Sequence, residues 1–200
     1  MAYVYKFRIS LCELEEYIWR EIEISSLSSV AKLGYSVLAA FEAAASHLFY
    51  ISHDDNRYEI QFEDDFFDDE EVFDPTTCKI SSLRLSVGDH LHMKYDYGAG
   101  WEFDIKLISI TEMKKGAGTH YPFITDGCGT GIIEDASPLE LVDYVKQIEK
   151  TGELPNYYNY FFNRAMKWDH RTYDIDFANV FFKDIILQFK EAYENPDYNY

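Results

Sequence analysis

Five residues are of the types from which a catalytic or metal centre is built: His47, Asp96, Cys128, Glu134 and Asp135. Imidazole, thiolate and carboxylate groups ligate zinc and carry protons near neutral pH. Their spacing does not form a ready-made centre. No HxxxH or HExxH run sets two ligands on one helical face. Cys12, Cys78 and Cys128 are far apart, with no CxxC pair, so neither a zinc ribbon nor a disulfide framework is signalled. His47, at the end of an apolar helical stretch, reads as a hydrogen-bonded structural histidine. Asp96, in Tyr95-Asp96-Tyr97-Gly98, reads as a turn-capping carboxylate. His90 and His92 share one strand face, a spacing that can chelate, but Lys94 and Asp96 follow on that face and make it a solvated charged surface. The set predicts no bound metal and no cofactor. An enzyme drawing on His47, Asp96, Glu134 and Asp135 is the second reading.

The run Thr125-Asp126-Gly127-Cys128-Gly129-Thr130-Gly131 invites comparison with a phosphate-binding loop. It lacks the Gly-Lys-Ser/Thr ending, and Asp126, Glu134 and Asp135 would repel phosphate. A glycine-rich connection needing positive φ accounts for it better. Cys128 has no base beside it in sequence, which favours an inert thiol over a nucleophile.

Charge narrows the partners. The formal net charge is −18, and no basic patch interrupts it, so direct nucleic-acid binding is disfavoured. A basic protein surface suits such a field. Between Asp54 and Asp74 eleven acids stand against the single base Arg57, so this stretch holds ten of the eighteen net negative charges. Phe62, Phe66, Phe67, Val72 and Phe73 are interleaved with them. Asp64, Asp65, Phe66, Phe67, Asp68 and Asp69, together with Trp101, are therefore the candidate binding residues, although Trp101 by its position on a hairpin also reads as core. Tyrosine and asparagine crowd the stretch 157–173, a second candidate surface.

The elements that must position these residues follow from periodicity. Tyr5, Phe7, Ile9 and Leu11 alternate with polar residues over 3–11, and Ile18–Ile24 alternates likewise, which predicts a hairpin. Val37, Leu38, Phe41, Ala44, Ala45 and Leu48 recur at helical spacing and predict a helix over 36–46, capped by Ser36. Strands are predicted over 48–52, 58–62 and 82–86. A hairpin follows, in which Leu91, Met93, Tyr95 and Tyr97 face Trp101, Phe103, Ile105 and Leu107 across Gly98-Ala99-Gly100. Residues 114–135 read as irregular. Pro138 begins a helix that Gly152 ends, with Leu139, Val142, Val145 and Ile148 as its stripe. A last helix over 176–193 is predicted to bury Phe177, Val180, Phe181, Ile185 and Phe189. The expected fold is a single α+β domain over residues 1–200, with a mixed sheet, a β-grasp (ubiquitin-like) opening and C-terminal helices over about 137–194. No apolar run approaches the ~20 residues that span a bilayer, and the first residues lack a signal-peptide layout, so a cytoplasmic protein is expected.

Taken in order, the strand Tyr5–Leu11, Ile18-Trp19-Arg20, Ser46-His47-Leu48, Tyr95-Asp96-Tyr97-Gly98 with Trp101-Glu102, Tyr121-Pro122, Asp126-Gly127-Cys128-Gly129, Glu134-Asp135 and Tyr173–Asn179 form a pattern. It resembles the plasmid pRiA4b ORF-3-like family, also labelled as an insertion-element passenger protein. The resemblance implies an α+β protein of bacteria, archaea and mobile elements with no established activity. The chain departs from it in places. Ala99 and Gly100 stand where the family run Tyr-Asp-Phe-Gly-Asp has its second Asp, and Phe103 stands where Trp-Glu-His has its His. Ala43-Ala44-Ala45 replaces a Trp, and Gly131-Ile132-Ile133 replaces a proline-rich approach. Any polar family site has lost potential ligands here. The expected function is a non-catalytic interaction module for a basic protein; an acidic DNA-mimic inhibitor is an extreme form of it.

Overall fold

The computed structural model describes residues 2–61 and 72–195. Strand β1 (Tyr3–Leu11) pairs antiparallel with β2 (Trp19–Ser25), and the predicted alternation holds, with Phe7, Ile9, Leu11, Ile18, Ile22 and Ile24 all fully buried. Helix α1 spans Val30–Ala40, six residues earlier at each end than periodicity predicts. Ser29, not Ser36, is its N-cap, accepting the Lys32 N–H at 3.1 Å. Ser36 instead donates to the Lys32 carbonyl from within the helix. Nearly every residue of α1 is buried, so its sequence has no polar face to mark the boundaries.

Beyond α1 come β3 (Phe49–His53), β4 (Asn56–Glu59) and β5 (Val72–Phe73), then the hairpin β6 (His90–Tyr95) and β7 (Trp101–Glu112). Residues 80–83 form a 3-10 turn where a strand over 82–86 was expected. The irregular 114–135 segment contains a further strand, β8 (Phe123–Cys128), which pairs with β2. Only Ile124 of its side chains is buried, so no alternation marked it. Helix α2 (Pro138–Thr151) starts at a Ser137/Glu140 capping box and ends at Gly152, φ 74°. It buries Leu141, Val145 and Ile148, while Leu139 is exposed. The unassigned 155–173 region is a hairpin of β9 (Asn156–Asn159) and β10 (Arg164–Lys167). Helix α3 (Ile175–Glu194) closes the described chain.

The large sheet runs β5-β4-β3-β6-β7-β1-β2-β8 and is antiparallel except where β4 meets β5. The hairpin-then-helix opening is present. The second neighbour of β1, however, is the antiparallel β7, so the structure supports a mixed α+β protein rather than a β-grasp in particular. On the inner face Phe41 packs edge-on against Phe103 with centroids 4.9 Å apart. Tyr35 of α1 stands between Phe49 of β3 and Tyr193 of α3. Each such aromatic contributes roughly 1.5–3 kcal/mol by leaving water. The outer face is charged. His90–Asp104, His92–Glu102, Lys94–Glu102 and Lys6–Glu21 pair across strands at 2.6–3.3 Å. These half-exposed pairs stabilise by at most ~1 kcal/mol each, and the His90/His92 face is the solvated one its sequence predicts. Among the described residues no helix is long and apolar enough to cross a membrane.

Candidate functional site

Three of the five chemistry-bearing residues converge. His47 Nε2 lies 3.5 Å from Asp96 Oδ2 and 3.9 Å from Glu134 Oε1. The carboxylates are already engaged. Glu134 Oε2 accepts the Ala44 N–H at 2.8 Å, and Oε1 accepts from Ser46 Oγ at 3.0 Å and from the Tyr95 hydroxyl. Asp96 Oδ1 accepts the Gly98 and Ala99 N–H groups at 3.0 and 3.1 Å, the predicted turn-capping role. Burial, reinforced by the Glu134 charge, holds the Tyr95 hydroxyl protonated far above the usual phenol range. Cys128 and Asp135 lie elsewhere. Cys128 Sγ faces the carbonyls of His170 and Arg171, and Asp135 accepts from Tyr160 at 2.6 Å. Among the described residues no group of three His, Cys, Asp or Glu is arranged to hold a metal ion.

The cluster therefore works as a clamp that ties the loop after α1 to β6. Ala45 and Asp96 sit there at φ 55° and 50°, conformations that cost energy and persist only where surroundings enforce them. Glu134→Gln turns an amide donor toward groups that already donate, and is expected to lower stability by about 1–3 kcal/mol. His47→Ala, which removes a half-exposed ring, is expected to change it by under ~1 kcal/mol. Urea unfolding of both variants distinguishes them: equal effects would remove the clamp reading.

A second polar centre was not anticipated. Arg20 is fully buried. Its Nε donates to the Ala40 carbonyl at 2.9 Å, Nη1 to those of Trp19 and Cys128 at 2.8 and 2.6 Å, and Nη2 to Gly129 at 2.7 Å. Its guanidinium also lies 3.5 Å from the Tyr173 ring centroid. Glu42, at φ 58°, accepts from Asn159 Nδ2 at 2.7 Å and from the Tyr157 hydroxyl at 3.4 Å. Burial raises the Glu42 carboxyl pKa although the Arg20 charge pulls it down. The signal for Arg20 was in the sequence, since it stands in phase with the inward Ile18, Ile22 and Ile24. Of the glycines beside it, Gly129 adopts φ 75°, as a positive-φ connection predicts, whereas Gly127 and Gly131 are there for close approach.

Nearby, His170 is buried and its Nδ1 has no hydrogen-bond partner among the described residues, and desolvation lowers its pKa from 6.5. The folded state thus binds fewer protons than the unfolded one between that lowered pKa and 6.5. Stability contributed by neutral His170 is full above 6.5 and declines as pH falls through this window. Melting temperatures from pH 7.5 to 5 are expected to fall more for the wild type than for His170→Gln; parallel curves would exclude His170 as the source.

The acidic candidates Asp64, Asp65, Phe66, Phe67, Asp68 and Asp69 lie outside the described residues. At the flanks, Phe73 is half-buried against Tyr58, and Arg57 is paired with buried Glu59 at 2.6 Å, so the one base of the stretch is neutralised internally. Trp101 is corrected as a surface binding residue: it is 0 % exposed, because its strand turns that face to the core. The open aromatic surface lies instead on α3. There Phe182, Ile186, Phe189 and Tyr193 are buried, while Phe177, Val180 and Phe181, predicted as core, are 42 %, 67 % and 44 % exposed. The helix is apolar on two faces, and β8 and α1 take only one. With Phe161, Phe162 and Phe123, the Phe177 and Phe181 side chains line a cleft of about 970 Å³, which Glu42 also lines.

The fold and site define an α+β protein with a largely antiparallel eight-stranded sheet, a buried arginine centre and an open aromatic cleft. The chain belongs to the family described as plasmid pRiA4b ORF-3-like protein, whose sequence pattern matches residues 3–180. No curated protein matches the chain. A crystal structure of a protein of unknown function from Methanosarcina mazei Go1 is similar, with a TM-score of 0.70 at 17 % identity, covering 88 % of this chain and 96 % of that one. At that identity the likeness shows the fold alone.

Proposed function

We propose that this protein is a non-catalytic interaction module that binds a basic protein partner. The observation that carries the reading is the outward aromatic face of α3. Phe177, Val180 and Phe181 stay largely in water on one helix, with the Phe177 and Phe181 rings 5.6 Å apart, and clustered exposed apolar groups within a charged rim are typical of protein-binding patches. The Tyr158 and Tyr160 rings, 45 % and 50 % exposed, extend it along the 157–173 hairpin. The net charge of −18 favours fast association with a cationic surface that weakens with salt. The engaged carboxylates of the His47 clamp count against catalysis there. A setting among mobile elements is part of the proposal, and the plasmid in the family description supports it.

The test is capture of partners by the wild type, by Phe177→Ser/Phe181→Ser and by a variant carrying Asp64, Asp65, Asp68 and Asp69 as Asn, each at low and high salt. The serine variant is expected to lose the partner at both salts, and the asparagine variant to bind more weakly and with less salt dependence. Recovery of the same partners by all three would end the reading.

A further inference from the structure

The aromatic cleft runs beside two strand edges, and the protein treats them differently. β8 is the outermost strand of the large sheet, and its edge is closed by Asn179 of α3. The Asn179 Oδ1 accepts the Ile124 N–H at 3.0 Å and its Nδ2 donates to the Ile124 carbonyl at 2.8 Å, so one side chain makes both bonds a neighbouring strand would make there. Such plugging keeps edges from recruiting other chains. β10 has no plug. Among the described residues the backbone of Arg164–Lys167 is hydrogen-bonded only to β9. The cleft is lined by Arg164, Met166 and Lys167 but by no residue of β9, so β10 is the strand of the hairpin that meets it.

Resting on the interaction reading above, we propose that β10 receives an extended segment of the partner as an added strand, with alternate apolar side chains in the aromatic cleft and basic residues at its ends. Main-chain hydrogen bonds supply affinity in this mode and side-chain pockets supply selectivity, because successive side chains of a strand point to opposite faces. The walls suit that segment. Phe161, Phe162, Phe177 and Phe181 offer apolar surface on one side of β10. Charges of both signs line the cleft: Asp174, which caps α3, and Asp176 stand opposite the exposed Arg164 and Lys167. Of these, Arg164 rests over the Phe162 ring at 5.6 Å and Lys167 donates to the Leu154 carbonyl at 3.3 Å, so the attraction for basic ends comes from the net charge of −18.

A capped synthetic peptide, Lys-Arg-Val-Thr-Phe-Thr-Val-Arg-Lys, titrated to about 1 mM, tests this by amide hydrogen exchange. At saturation, exchange within Arg164–Lys167 is expected to slow at least ~10-fold, the effect of roughly 1.4 kcal/mol of added protection. The same peptide with both threonines replaced by proline, which cannot donate to the edge, is expected to bind ~10-fold more weakly, as is Phe177→Ser/Phe181→Ser with the original peptide. Binding that depends on the two phenylalanines without protecting β10 overturns strand addition and leaves the interaction surface standing. Binding indifferent to the two phenylalanines, or none up to that concentration, overturns the surface together with the strand.

Discussion

Arg20→Leu is expected to lower the unfolding free energy by about 3–5 kcal/mol, the range for removing one member of a buried charged network. The loss has two parts. The carbonyls of Ala40, Trp19, Cys128 and Gly129 lose the donors they now share, and a buried carbonyl without a partner costs ~1–3 kcal/mol. Glu42 loses the nearby positive charge that offsets part of its burial. Arg20→Lys recovers only a fraction, because an ammonium cannot reproduce a fork that reaches carbonyls on three separate segments. Adding Glu42→Gln to Arg20→Leu is expected to return ~0.5–3 kcal/mol, the coupling typical of groups in one network. Guanidinium unfolding of the wild type, Arg20→Leu, Arg20→Lys, Glu42→Gln and the double variant measures this. Simple additivity would show that Arg20 and Glu42 stabilise independently, and a loss below ~1 kcal/mol for Arg20→Leu would show that the site relaxes around the missing group.

Gly131→Ala is expected to cost at least about 3 kcal/mol, as overpacking against backbone does when nothing can yield. A Cβ at this position would stand 2.0 Å from the Phe41 carbonyl oxygen and 2.4 Å from its carbon. That oxygen cannot retreat freely, since it accepts the Ile132 N–H at 2.9 Å. The Gly131 carbonyl is fixed as well, by the Trp168 indole at 2.9 Å. Gly118→Ala is the control: the nearest atom to its added Cβ is Met113 Sδ at 4.0 Å, and the expected change is within ~0.5 kcal/mol. Thermal unfolding of both variants decides, and comparable melting temperatures would mean the Phe41–Gly131 contact can open without cost.

What was legible in the sequence was whatever a strand's two-residue period or a cap writes into residue order. The inward faces of β1, β6 and β7, the burial of Phe41 and Trp101, the capped start of α2 and the Asx turn at Asp96 all follow from local rules, because each is decided within a few residues. The inward phase of Arg20 was written there too. Strand β8 was hidden because only one of its side chains, Ile124, is buried, and the limits of α1 because nearly the whole helix is buried. Only the tertiary structure decided that His47, Asp96 and Glu134, far apart in the chain, meet in a clamp whose acceptors are already taken. It also decided which face of α3 is core. Both faces carry aromatic residues at helical spacing, so periodicity offers two equal answers. The packing of β8 and α1 against α3 chose one, and left Phe177, Val180 and Phe181 largely in water, with Phe162 of the β9–β10 hairpin covering part of Phe177.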